Sequence, residues 1–226
     1  MRKLLLFCTK KKTIIYKDNR IMKKFFTAIV AMVLAVPSFA QFASGGFELD
    51  KNNLYYGARM GLSLGSLTGD SDASGMKGGL TLGGVIGLRV STTTPVFLES
   101  GLYYTQRGGI DGDYKANLKY LEVPVLIKYG IEVGEGMAVL PFIGPYFSWG
   151  IGGKCENKFE GVKQKWSSFR DDNFNHADMG LELGCGFEYN MLYVEAGYKF
   201  GIANIADNDD ISVHGNALVL NFGINF

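Results

Sequence analysis

The chain has 226 residues, 47% of them hydrophobic and 20% charged, with 31 glycines but only 5 prolines, enough for one domain and a targeting segment. The glycines follow no collagen-like period and form no low-complexity run, so they belong to structured segments. The formal charge of +1 is a composite: nine of the 23 Lys/Arg and one of the 22 Asp/Glu fall in the first 40 residues, leaving 14 basic and 21 acidic residues beyond. An acidic body argues against nucleic acid as a partner.

The basic head divides at Met22. From there "MKKFFTAIVAMVLAVPSFA" has two lysines, an apolar run too short to span a bilayer comfortably as a helix, and a small-residue end at Ala40. Residues 22–40 are therefore expected to be a cleaved secretory signal, and residues 1–21 a mis-called N-terminal extension. Residues 41–53 form a lead-in to a domain over 54–226. Of the three cysteines, Cys8 leaves with the head. Cys155, placed in a loop, and Cys185, placed mid-strand, are expected as separate thiols in an oxidising compartment.

Past residue 53 the apolar residues alternate with period two in about eight runs of 10 to 13 residues: 54–65, 79–91, 96–106, 119–131, 138–150, 178–189, 192–202 and 216–226. In 79–91, Leu80, Leu82, Ile86, Leu88 and Val90 oppose Thr81, Gly83, Val85, Gly87 and Arg89. In 119–131, Leu121, Val123, Val125, Ile127 and Tyr129 oppose Tyr120, Glu122, Pro124 and Lys128. The run 138–150 contains Pro141 and Pro145, which suggest a bulge or weak pairing. Connections after runs 2, 4 and 6 are short, and those after runs 1, 3, 5 and 7 are long. An even number of strands with all tight turns at one end predicts an all-β, eight-stranded, antiparallel up-and-down transmembrane barrel.

Which face looks outward decides between this and a soluble, lipocalin-like ligand-binding barrel. The polar face is mostly small residues, with sparse charges: Arg59, Arg89, Glu99, Glu122, Lys128, Glu182, Glu188, Glu195 and Lys199. Glycine suits the narrow lumen of eight strands, whereas on a water-facing sheet it would only weaken the strands. The apolar exterior then faces lipid. The interior charges are expected to form a structural network of Arg/Lys–Glu contacts that plugs the lumen. The last residue, Phe226, falls at the interfacial aromatic girdle beside the tight turns.

Tyr120-Leu121-Glu122-Val123-Pro124-Val125-Leu126-Ile127-Lys128-Tyr129, Gly144-Pro145-Tyr146 and an alternating end closing on Phe226 resemble the PorT-type outer-membrane β-barrel family of Bacteroidetes-type bacteria. The resemblance covers about 54–226 and implies a barrel of the OmpA/OmpX-like kind in the bacterial outer membrane. It does not imply one role, since its members include secretion-associated barrels.

Other chemistry is weakly supported. Asp70–Gly75 copies half of a calcium loop, but Thr81 stands where a bidentate Glu is needed. His176 and His214 lie near Asp178 and Ser212 in sequence, without a nucleophile elbow; a lipid-modifying enzyme at the rim is the third reading. Neither a cofactor nor a metal is expected. In 152–177 the aromatics Phe159, Trp166, Phe169 and Phe174 alternate with lysines and Arg170. Phe159, Trp166, Phe169 and Arg170 would either grip a protein partner or anionic lipopolysaccharide, or fold back over the barrel mouth or rest at the lipid headgroups. The leading expectation is a monomeric, non-catalytic outer-membrane barrel whose partners are membrane lipid and a protein held by that loop.

Overall fold

The computed structural model describes residues 54–69, 75–91, 93–112, 114–159, 162–169, 174–206 and 212–226. The extension, signal and lead-in assigned to residues 1–53, and the calcium-like residues 70–74, lie outside them. Among the described residues ten strands form one sheet: β1 (Leu54–Gly69), β2 (Gly75–Arg89), β3 (Val96–Asp111), β4 (Tyr114–Tyr129), β5 (Ile131–Gly134), β6 (Met137–Phe159), β7 (Val162–Ser167), β8 (Ala177–Tyr189), β9 (Leu192–Gly201) and β10 (Val213–Asn225). β5 prolongs the β4 stave, and β7 folds back on the end of β6 as a hairpin. Eight staves remain. Each pairs antiparallel with its chain neighbour, and β1 pairs with β10 from Gly57↔Asn225 to Gly69↔Val213. The ring closes at Phe226, which donates its N–H to the Tyr56 carbonyl at 2.7 Å, and Tyr56 returns one to Phe226 at 3.1 Å.

The orientation is the one the alternation requires. Leu183 and Phe222 are 44% and 51% exposed, while Glu122 and Lys199 are 0% and 5% exposed. Tyr56, Tyr129 and Tyr189 stand outward at the tight-turn end, and half-buried Phe226 joins them there. Outward-facing Trp149 marks the other margin on β6, and half-buried Tyr104 marks it on β3. Between these margins β4 contributes Leu121 to Tyr129 and β6 contributes Val139 to Trp149, close to the roughly 9–11 residues a tilted strand needs to cross hydrocarbon.

Several strands outrun their predicted ends. β3 and β4 continue to Asp111 and from Tyr114, so the long connection expected after the third run shrinks to a turn at Gly112, whose φ is +49°. β6 runs on to Phe159, so Cys155 is a strand residue and not a loop residue. Above the apolar band the outward positions become a mixture, with Gln106, Lys115, Asn117 and Lys119 beside Ile110 and Ile151, so the alternation fades while the ladder continues. Pro141 and Pro145 do not bulge β6: its register against β8 is unbroken from Met137↔Tyr189 to Trp149↔Ala177. Against β4, pairing lapses opposite Pro145 and resumes unshifted at Ile127↔Ile143. A residue without an N–H removes a ladder bond without changing the count.

Inside, the glycines answer aromatic rings directly across the ladder: Tyr55 lies opposite Gly87, Tyr103 opposite Gly83, Phe142 opposite Gly184 and Tyr146 opposite Gly180. A Cβ on Gly83 would sit 2.5 Å from Tyr103 Cδ1, and one on Gly184 would sit 2.5 Å from Phe142 Cζ. The rings fill the space that the missing side chains leave, which is the cross-strand rescue of glycine in a curved sheet. Gly83→Val should therefore lower stability by about 1–3 kcal/mol through overpacking. Gly84→Val, whose Cβ would meet nothing nearer than 3.8 Å on the outer face, should stay within about 0.5 kcal/mol. Urea unfolding of both variants in detergent micelles, followed by tyrosine fluorescence, measures the difference.

Candidate functional site

The side chains with chemistry converge in the lumen, in two layers under an apolar cap. Nearer the tight turns, Lys128 Nζ lies 2.8 Å from Glu99 Oε1 and 3.4 Å from Glu195 Oε2, and donates to the Tyr193 hydroxyl at 2.7 Å. Arg59 Nη2 donates to Asn225 Oδ1 at 2.6 Å and lies 3.7 Å from Glu99. Its guanidinium sits 4.0 Å over the Tyr193 ring. Tyr55 donates to Glu99 at 2.5 Å, Asn221 donates to Glu195 at 2.8 Å, and Asn225 donates to Glu188 at 2.8 Å.

In the second layer Glu122 is the hub. It accepts from Arg107 Nη2 at 2.7 Å, from the Ser148 hydroxyl at 2.9 Å and from Lys199. Arg107 reaches Asp178 at 3.2 Å, and Lys199 reaches Glu182 at 3.5 Å. The Arg107 guanidinium is 4.8 Å from the Tyr120 ring and 5.0 Å from the Tyr146 ring.

Above this layer Leu67, Ala116, Leu118, Tyr120, Cys155, Ile205, Ala206 and Val213 make a buried apolar cluster. Tyr114, Trp166, Phe169 and Phe174 pack against it. The β7–β8 and β9–β10 connections are joined: Asn175 N–H donates to the Ile205 carbonyl at 2.9 Å, and its side chain donates to the Ala206 carbonyl at 3.0 Å.

Of the nine charges assigned to the interior, Arg59, Glu99, Glu122, Lys128, Glu182, Glu188, Glu195 and Lys199 are buried in the lumen. Arg89 is not among them. It is half-buried at the tight-turn rim, where its Nε donates to the Ser91 carbonyl at 2.9 Å. Arg107 takes the deeper place, and Asp178 joins it. Both fall outside the sequence reading of the lumen, Arg107 because the third run ends one residue short of it. Continuing the odd positions of that run, Glu99, Tyr103 and Thr105, one step further reaches it.

Of the aromatics of 152–177, Trp166, Phe169 and Phe174 fold back over the mouth and pack against the cap. The Phe159 side chain and Arg170 lie outside the described residues. His176 stacks between Trp149 and Phe169, and its Nδ1 lies 2.7 Å from the Gly150 carbonyl. His214 meets Ser212 Oγ at 3.0 Å and the Ala203 carbonyl at 3.0 Å, but Asp178 is held inside by Arg107 and completes no triad with either histidine. Cys155 and Cys185 are free, the first buried in the cap and the second exposed on the outer face. Among the described residues no cluster of metal-ligating side chains is present.

Because Glu122 holds Arg107 and Lys199 together, Glu122→Ala should cost about 3–5 kcal/mol by leaving buried cations without their partner. Glu188→Gln, which keeps an acceptor for Asn225, should cost less than about 1 kcal/mol. Equilibrium urea titration of each variant in the same micelles checks the ranking; equal losses would show that the hub assignment is wrong.

The family described as "Outer membrane protein beta-barrel domain" matches residues 39–207. Among solved structures the chain is similar to Ail, the attachment invasion locus protein of Yersinia pestis (15% identity, TM-score 0.42, 77% of this chain and 100% of that one). It is also similar to Neisserial surface protein A (14%, 0.44, 77% and 98%). A major outer membrane protein from Thermus thermophilus is a further similar structure (13%, 0.45, 77% and 100%). No curated protein matches the chain.

Proposed function

Because the chain belongs to the outer-membrane protein β-barrel family, we propose that it works as a sealed, non-catalytic barrel of the PorT-type branch, a monomeric platform in the outer membrane. It arrives there after signal cleavage behind Ala40, and it presents its loop end to a partner outside the cell. The observation that carries this reading is the filled lumen: two layers of opposed charges and an apolar cap occupy the route through the cylinder. An eight-stranded barrel has room for side chains or for one small ligand, and here side chains take it.

The partner-facing element is the tip of the β6–β7 hairpin. Trp166 and Phe169 anchor its base to the cap, and Asn157 and Gln164 stand exposed near its tip. In this arrangement Trp166 and Phe169 hold the hairpin in place, and the exposed Asn157 and Gln164 belong to the contact surface. A secretion-associated role and a surface-binding role both suit such a platform.

In planar lipid bilayers the purified chain should produce no steady channel current; a stable open conductance would contradict the sealed reading. Replacing residues 157–164 with Asn-Gly should leave heat-modifiable gel mobility unchanged and remove crosslinked species formed on intact cells. An unchanged crosslinking pattern would take the hairpin tip out of the account.

A further inference from the structure

The outer wall of the barrel is not uniform at the level where it leaves the apolar band. On β3, β4 and β6 one outward tier is Tyr104, Leu121 and Trp149, which are register neighbours, and on β6 the exposed Ile151 follows it at a register shift. The paired tiers above change character. Lys119 stands between Gln106 and Gly152, Asn117 between Gly108 and Lys154, and Lys115 between Ile110 and Glu156. Lys115 and Lys154 are exposed and Lys119 is half-buried.

Alternate residues on a strand lie about 7 Å apart, and diagonal cross-strand neighbours lie at a similar distance, so Lys154 is adjacent to both other lysines. One acid stands among them: Glu156, across from Lys115, also pairs with Lys165 at 2.7 Å across the hairpin, so a single carboxylate faces four lysines. On the opposite wall the equivalent tiers on β1 and β10 carry Ser66 opposite Asn216 and Thr68 opposite His214, with no lysine or arginine. The positive charge is thus one-sided, it begins one tier above the aromatic margin, and its outward side chains are positioned at headgroup depth.

We propose that Lys115, Lys119 and Lys154 form a docking site for the phosphate-bearing headgroup of lipopolysaccharide, with Trp149 and Tyr104 set against the upper part of its acyl chains. The inference rests on the membrane-barrel reading above. The occupant is set by continuity with the lipid band and by charge. A phosphorylated saccharolipid whose chains already lie against Leu121 and Val123 brings its anionic groups to the height of the lysines. A soluble anion would gain nothing from the apolar tier below. Three lysines near an anionic surface, each contributing about fivefold in affinity, should together be worth about 100-fold, and the attraction should weaken as salt shortens the screening length.

The test uses the full barrel domain, native and with Lys115→Gln, Lys119→Gln and Lys154→Gln combined, reconstituted in phosphatidylcholine vesicles. Purified lipopolysaccharide and its enzymatically dephosphorylated form are the two probes, and Trp fluorescence reports binding. The expected result is binding of the phosphorylated form by the native protein about 100-fold tighter than by the triple variant, with this advantage lost for the dephosphorylated form. Equal affinity of native and variant, or equal affinity of native protein for both probes, would overturn the inference while the barrel reading stands. Failure of the native chain to enter the vesicles at all would remove the reading beneath it, and the inference with it.

Discussion

Hydrocarbon supplies no hydrogen-bond partners, so every backbone N–H and C=O within it must be satisfied by the protein itself. For a sheet this means closure, and closure here depends on the β1–β10 seam, which extends to the reciprocal backbone pair between Tyr56 and Phe226. Everything else follows from making a closed cylinder of eight staves. The circumference fixes a lumen only wide enough for side chains. Strand alternation then divides the chain into an outer set that must tolerate acyl chains and an inner set that must fill the lumen.

The inner set meets that demand in two ways. Near the sheet surface, aromatic rings lie across from glycines, so the wall is thick where a ring stands and thin where its partner does. Toward the axis, cations and carboxylates interlock. Burying a lysine such as Lys128 or an arginine such as Arg107 in a low-dielectric interior is tolerable because each meets carboxylates and hydroxyls from other staves. Lys128 comes from β4, its partner Glu99 from β3 and Glu195 from β9, so the ion pairs cross the barrel and tie distant staves together. The same contacts close the route through the cylinder, and the apolar cap with its inward-turned Trp166 and Phe169 closes the mouth.

Much of this is legible in the residues because period-two alternation is enforced by burial on one side and lipid on the other. Leu80, Leu82, Ile86 and Leu88 can only be outward once Gly83 and Gly87 are seen as inward. Legibility ends where lipid ends. In 107–118 the outward residues become Ile110, Lys115 and Asn117, a mixture with no apolar stripe, and the segment reads as a loop although the β3–β4 ladder runs through it almost to the turn. Arg107 escapes the pattern for that reason. Arg89 is misplaced because parity alone cannot tell a lumen residue from one at the rim. The fate of the 152–177 aromatics is open in the sequence, since Trp166 serves equally well as a contact or as an anchor until Cys155 is placed beneath it across the hairpin.

Nitroxide labels introduced one at a time at Leu218, Val219, Leu220, Asn221 and Phe222, in lipid vesicles and on a background without Cys155 and Cys185, would test the central orientation most directly. Relaxation by dissolved oxygen should be strong at 218, 220 and 222 and weak at 219 and 221. A reversed phase, with Asn221 and Val219 open to the bilayer and Phe222 shielded from it, would contradict the account.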